Sequence, residues 1–346
     1  MRLLSLAIVL AVSATPALAL AQATPIAAAQ PGEGKEDARL KRLFHDSDEA
    51  SLARNPINGL FRGDMRRADR IGDFFSDAYI NAERAAAEKD LKDLGQINRA
   101  ALTPTNQVAY DVFQQQTQTT LKGLDPALVA LTIVRPMDHF YGIQTFYPEF
   151  ASGQGAAPFN TVADYDNNLK RNVEYARLLD EAIVRFRQGM ASGVVQPKLV
   201  VRNMIAQFDN LLAGPVEDST FYGPVKRFPA SIPAAEQARL KAAYATQIRD
   251  VILPAERRMR SFLADTYLPA ARDSVGLSGM KGGDRLYSYL IEQNTTLPLK
   301  AEDVHQLGLS EVARILKAME VQKQAVGFKG SLPEFFTFLR TDPQFA

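Results

Sequence analysis

The sequence predicts an all-α fold: an elongated multi-helix domain with long, bent, antiparallel helices. Three observations lead there. Apolar side chains recur at steps of three or four over long stretches. Gly, Pro, Ser and aromatic residues gather between those stretches. The one plausible strand, Leu128 to Val134, has no partner strand, so helix or extended coil is favoured there.

In chain order, the pattern predicts helices over about 36–54, 66–94 and 105–122. Thr103 and Pro104 mark the start of the third, as cap and first helical residue. Residues 165–190 carry the clearest stripe: Leu169, Val173, Ala176, Leu179, Ile183, Phe186 and Met190. A helix over 196–213 follows. Residues 240–262 repeat the stripe with Leu240, Tyr244, Ile248, Val251, Ala255, Met259 and Phe262. Pro254 lies inside that run and removes a backbone donor, which predicts a kink or restart; Pro269 should act likewise. Ser231 with Pro233 suits the start of this helix. Helices over 284–292, 301–325 and 332–340 complete the set. Loops are expected over Gly142–Phe159, Ala213–Pro233 and Ser274–Gly283.

The N-terminus reads as a targeting segment. Arg2 precedes an apolar run from Leu3 to Val12, Pro16 breaks it, and small-residue sites follow at Ala17-Leu18-Ala19 and Ala19-Leu20-Ala21. That order is the layout of a secretory signal peptide, and the run is too short to span about 30 Å of hydrocarbon. The expected organisation is a signal peptide at 1–21, a flexible leader at 22–35 and a helical domain at 36–346, exported to the periplasm or beyond. No stable membrane span is expected after cleavage.

Cysteine is absent, which excludes disulfides, thiolate zinc sites, cysteine nucleophiles and thioether lipid anchors. Lys plus Arg number 40 against 39 Asp plus Glu, a formal charge of +1. So even a balance argues against a nucleic-acid partner. The basic clusters Arg66-Arg67-Ala68-Asp69-Arg70 and Arg257-Arg258-Met259-Arg260 read as solvated helix faces.

His45, His139 and His305 are the three histidines, and none has a second His four residues on. Glu302 and His305 are spaced like a metal pair, but a first-turn Glu with a packed or solvated His explains them. Ser278-Gly279-Met280-Lys281 matches S-x-x-K, yet Gly276, Gly279, Gly282 and Gly283 disfavour the helix that this chemistry needs. No catalytic, cofactor-binding or metal residue is assigned. Two aromatic groups remain as possible lining of a substrate channel: His139, Tyr141 and Tyr147 in one, Tyr287 and Tyr289 in the other. For the first group a hydrophobic plug is the favoured alternative, and for the second, capping and turn chemistry.

The stretch from Gly283-Asp284-Arg285-Leu286 to Ile315, read as helix, polar bend and helix, resembles a segment of the bacterial family known as domain of unknown function 885. Ala38 to Gly63, Arg135-Pro136 to Phe150, and Phe159 to Leu169 resemble it in the same order. So do Gln188-Gly189-Met190-Ala191-Ser192-Gly193 with Pro197, Leu253-Pro254-Ala255, and Tyr267-Leu268-Pro269-Ala270-Ala271-Arg272. Full-length members look like helical, gluzincin-like zinc peptidases with an H-E-x-x-H helix. The resemblance therefore implies zinc in full-length relatives and a peptide substrate. It also implies that this chain is the N-terminal part of such a fold, lacking its reactive C-terminal half. The motif has no counterpart in this chain, so no ligand is carried over. Glu334 to Ala346 has no terminal character, and a fragment is expected. A self-contained periplasmic peptide- or ligand-binding or scaffold protein is the alternative.

Overall fold

In the computed structural model, residues 34–345 are described. The predicted signal peptide, and the leader up to residue 33, lie outside them. The fold is all-α and multi-helical, as the period predicts. Among the described residues the only extended pairing is an isolated parallel bridge between Pro197 and Arg272.

Helix α7 (Val162–Ser192) is the axis of the molecule. Thr161 and Asp164 close a capping box at its start, and Gly193 ends it in the left-handed region at φ 77°. Its buried face runs through Tyr165, Asn168, Asn172, Tyr175, Leu179, Ala182 and Phe186. That line is rotated from the apolar stripe read in the sequence, and Val173 of that stripe is exposed. Around it pack α6 (Ile143–Ala151), α8 (Lys198–Leu211) and α11 (Leu253–Ser261).

At the N-terminal end, α1 (Lys35–Arg54), α3 (Asp77–Leu94) and α4 (Pro104–Gly123) enclose a smaller core of Leu40, Leu43, Leu94, Ile97, Leu102 and Tyr110. Pro104 opens α4 as predicted, but the Thr103 hydroxyl does not cap it; it donates to Asp37 Oδ1 at 3.0 Å. A short α2 (Ile57–Phe61) follows α1.

The expected helix over 66–94 is corrected. Helix starts at Asp77, with Ser76 as its cap, and the segment before it is irregular. Gly72 sits at φ 123°, outside any helix. Side chains of α7 hold the segment instead: Glu174 accepts from Ile71 N at 2.6 Å and Gly72 N at 3.2 Å, and Arg185 Nε donates to Phe75 O at 2.6 Å. These long-range partners outweigh the local pattern.

One segment expected as helix or extended coil, and one expected as a loop, are both helical. Leu128 to Val134 falls mainly in α5 (Pro126–Thr132), capped by Asp125. The expected loop from Gly142 contains α6, whose Ile143, Tyr147 and Phe150 form one buried stripe despite Pro148. Ala213–Pro233 is largely irregular with short turns and one four-residue helix, α9 (Gly223–Lys226).

The predicted bend at Pro254 is realised as a π turn. Helix α10 (Ala234–Gln247) passes into π geometry over Ile248–Ile252, then into α11 with Pro254 in its first turn. A second π turn, Phe262–Tyr267, precedes α12 (Leu268–Ala270), which carries Pro269. A wider turn accommodates the missing donor and the bulk of the ring without ending the helix.

Beyond the 3₁₀ turn Leu277–Gly279, α13 (Gly283–Thr295) packs Leu286 on α5 residues Leu128 and Leu131. Then come α14 (Ala301–Ala325) and α15 (Leu332–Thr341). α14 carries Leu309, Val312, Leu316 and Met319, spaced as one stripe, and all four are exposed.

Candidate functional site

Helix α13 docks against α4 through Tyr289. Its hydroxyl donates to Thr119 O at 3.3 Å, and burial raises its pKa. A Cβ on Gly123 would lie 2.2 Å from that hydroxyl, so any larger residue there requires the Tyr289 ring to shift. Lys122 and Glu292 form an ion pair across the same junction. Beside it lies a groove of about 810 Å³ with Leu91, Leu121, Leu128 and Tyr289 as its apolar surface. Glu88 and Arg285 line it too, and neither has an ion-pair partner among the described residues.

A second, more polar cleft of about 1190 Å³ lies between the end of α6 and the segment after α8. Glu149, Asp218, Lys226 and Arg227 give it both signs of charge, and Phe159, Tyr165 and Phe228 give it aromatic faces. The Tyr165 ring lies 5.2 Å from each of the other two. Such a mixture of charge and aromatic surface suits a ligand with both polar and apolar parts.

The five residues predicted as channel lining do not converge. Tyr289 lines the groove. Tyr287 is two residues away on the same helix, which turns it to another side, and it is exposed. Tyr141 is 89% exposed at a loop tip, where Asp138 Oδ1 accepts from the amides of Phe140 and Tyr141 at 2.6 and 2.7 Å. His139 is half-buried; its carbonyl accepts from Gln207 Nε2 at 2.8 Å, and its buried Nδ1 has no partner. Tyr147 is fully buried, stacks on Tyr175 at 4.9 Å and donates to Asn172 Oδ1 at 2.9 Å. It belongs to the core, as the plug alternative has it.

Sequence reading missed a polar seam inside the core. Tyr244 donates to Asn168 Oδ1 at 2.9 Å, and Asn172 Nδ2 donates to Gln247 Oε1 at 3.0 Å. Tyr175 donates to Glu256 Oε1 at 3.1 Å. Burial pushes the Glu256 carboxyl up to about 8, against the opposing Tyr175 hydrogen bond and the Arg257 charge. Burial and the neighbouring Glu256 raise the Tyr175 phenol well above its ordinary value. The available signal was the pair of prolines. Glu256 follows the π turn on the inner face, four residues after buried Ile252 and beside Ala255.

Other motifs take their plainer reading. Ser278 lies in a 3₁₀ turn, and Lys281 Nζ is 3.5 Å from Ser192 O, so the pair is not arranged on a helix. Glu302 accepts from Gln306 at 2.7 Å on exposed α14. Arg66 pairs with Asp64 and Glu49, Arg258 with Asp180, and Arg260 with Asp209, as solvated faces do. Among the described residues no group of three His, Cys, Asp or Glu is placed to hold a metal. None of the helices there is long and apolar enough to cross a membrane.

Comparison with known proteins places this fold. The profile described as "Bacterial protein of unknown function (DUF885)" matches residues 56–346. The chain belongs to the DUF885 family. A crystal structure described as that of "the putative lipoprotein from Colwellia psychrerythraea" superposes with a TM-score of 0.75 at 17% identity. The match covers 89% of this chain and 54% of that one, so this DUF885 chain spans about half the length of the solved protein. At that identity the likeness is one of fold. No curated protein matches the chain.

Proposed function

We propose that this DUF885 chain is the N-terminal portion of an exported, zinc-dependent, peptidase-like hydrolase, inactive alone, whose metal-binding half is further polypeptide. The observation that carries the proposal is the face of α14. Leu309, Val312, Leu316 and Met319 stand exposed along one side of a long helix. An apolar stripe of that kind is built to be covered. The greater length of the superposed structure supports the same reading. The donor set of the described residues does not fit zinc, so the hydrolytic step belongs to the further polypeptide. The role left to these helices is to wall a substrate channel, with the Tyr289 groove and the polar cleft as the surfaces suited to a peptide.

The test is to read the gene past codon 346 and to assay both products. An in-frame H-E-x-x-H sequence, peptide hydrolysis by the longer product and none by the 346-residue chain are expected. A tightly held stoichiometric zinc in the 346-residue chain, with peptide cleavage to match, would sink the proposal.

A second reading is a non-catalytic periplasmic protein that binds a peptide or small ligand in the preformed 1190 Å³ cleft. Cooperative, monomeric unfolding together with saturable peptide binding would favour it. Molten behaviour with dye-binding surface would count against it.

A further inference from the structure

Arg171 is 1% exposed, and its charge has no carboxylate partner among the described residues. It comes from α7 into the space between α6, the irregular segment before α3, and α10. One of its nitrogens, Nη1, donates to Ala68 O, and the guanidinium lies 5.7 Å from the Phe150 ring centre. Nε and Nη2 are buried and find no acceptor. Three residues earlier on the same helix, Asn168 is fully buried; its Oδ1 accepts from Tyr244, and its Nδ2 finds no acceptor. Side chains three apart on a helix are neighbours.

The surrounding hydroxyls give their protons to other side chains, and the Tyr147 oxygen lies close enough to Arg171 to lend it partial hydrogen-bond support. Tyr147 donates to Asn172 and Tyr244 to Asn168. Burial raises both phenols, and the Arg171 charge opposes that rise in each, so the guanidinium lies close to both. What remains is a buried guanidinium that the Asp164 charge favours without forming an ion pair, and three nitrogens, Arg171 Nε and Nη2 and Asn168 Nδ2, that make no close hydrogen bond. A buried ion without a close counter-charge is strongly unfavourable. Its natural complement is a species that only accepts hydrogen bonds and carries negative charge. Tyr165 is shared between this spot and the polar cleft: its carbonyl accepts from Tyr244 at 3.2 Å and its ring lines the cleft.

We propose that Arg171 Nε and Nη2 with Asn168 Nδ2 form an internal binding site for a small monovalent anion, a halide or a short carboxylate, that ties α7 to α6 and α10. The anion neutralises Arg171 and satisfies the donors together. It acts as a structural ligand, and the site is independent of any peptidase role.

The test is thermal unfolding of the whole chain in sodium chloride, sodium formate and sodium gluconate at one ionic strength, gluconate being too large to enter. A ligand that binds only the folded state raises the midpoint with its concentration. Chloride or formate should raise it by several degrees over gluconate, and whichever does so identifies the class. Arg171→Met should abolish that difference. Where this variant does not fold, crystals of the unaltered protein grown in bromide decide the matter. An anomalous peak is expected within hydrogen-bond reach of Arg171 and Asn168. Equal midpoints in all three salts would overturn the proposal, as would a salt effect that survives Arg171→Met. So would a site filled by water, or by bromide only at molar concentration as an adventitious ion.

Discussion

The Tyr175 hydroxyl donates a 3.1 Å hydrogen bond to Glu256 Oε1 between α7 and α11, and both side chains are fully shielded from solvent. The other oxygen, Oε2, has no partner. An ionised carboxylate with one hydrogen bond and no paired cation is poorly stabilised in such a place. The proton therefore stays on Glu256 to about pH 8, above its ordinary 4.5.

This makes stability fall as pH rises. The folded state binds the proton more tightly than the unfolded state, so the contribution of Glu256 is fully present below about pH 4.5 and is lost as pH climbs through 8. The slope from this group is roughly 1.4 kcal/mol per pH unit within that window. Urea unfolding between pH 5 and 9 should show the decline, and Glu256→Gln should flatten it. A variant that keeps the full slope would place the titration elsewhere.

Gly123 tests the contact between α4 and α13. A methyl group there would meet the Tyr289 hydroxyl at 2.2 Å and its ring carbon Cζ at 2.7 Å. Gly123→Ala alone should destabilise by about 1–3 kcal/mol through overpacking. In a Tyr289→Leu background the penalty should shrink or reverse, since alanine is the better helix former. A double-mutant cycle by denaturant unfolding measures the coupling. Additive losses would show that α13 yields to the methyl group.

Asp37 is the hub of the N-terminal core. Its Oδ1 accepts from Asn106 Nδ2 at 2.6 Å and from the Thr103 amide and hydroxyl at 3.0 Å each, and Oδ2 accepts from Gly34 N at 2.9 Å. The Asn106 hydrogen bond foremost, with the Thr103 and Gly34 amides, holds its pKa far below the ordinary carboxylate range. Here the sign is opposite to Glu256: its contribution is present above about pH 4 and is lost on acidification. Asp37→Ala should raise amide exchange in α1 and at the start of α4 well before α7 is affected. Uniform acceleration across the chain would contradict a local role.

How much of this was legible in the sequence depends on where each residue finds its partner. The helices over 36–54, 105–122 and 301–325 are legible because their period is local, and α1, α4 and α14 begin and end within a residue of them. The start of α3 is not, because Glu174, more than a hundred residues away, takes the amides of Ile71 and Gly72. The buried face of α7 is legible only in part. Asn168, Arg171 and Asn172 are polar by type, and it takes Tyr147, Tyr244 and Gln247 on other helices to make them interior residues. Family membership is legible through ordered local motifs. The candidate lining residues are not, since Tyr147 turns inward and Tyr141 outward within one short segment.

The face of α14 separates the two functional readings. If further polypeptide covers it, charging that face should do no harm to the 346-residue chain and real harm to the longer protein. Val312→Glu with Leu316→Lys replaces two exposed apolar side chains by an i,i+4 pair of opposite charge in the favourable order. In the short chain, unfolding free energy should move by no more than about 0.5 kcal/mol, the usual range for exposed sites, and binding of a hydrophobic dye should fall. In the longer protein the same pair would bury two charges at an interface and should cost several kcal/mol or prevent folding. Equal, small effects in both would mean that α14 meets water in both, and the covering of its apolar stripe would no longer support a missing half.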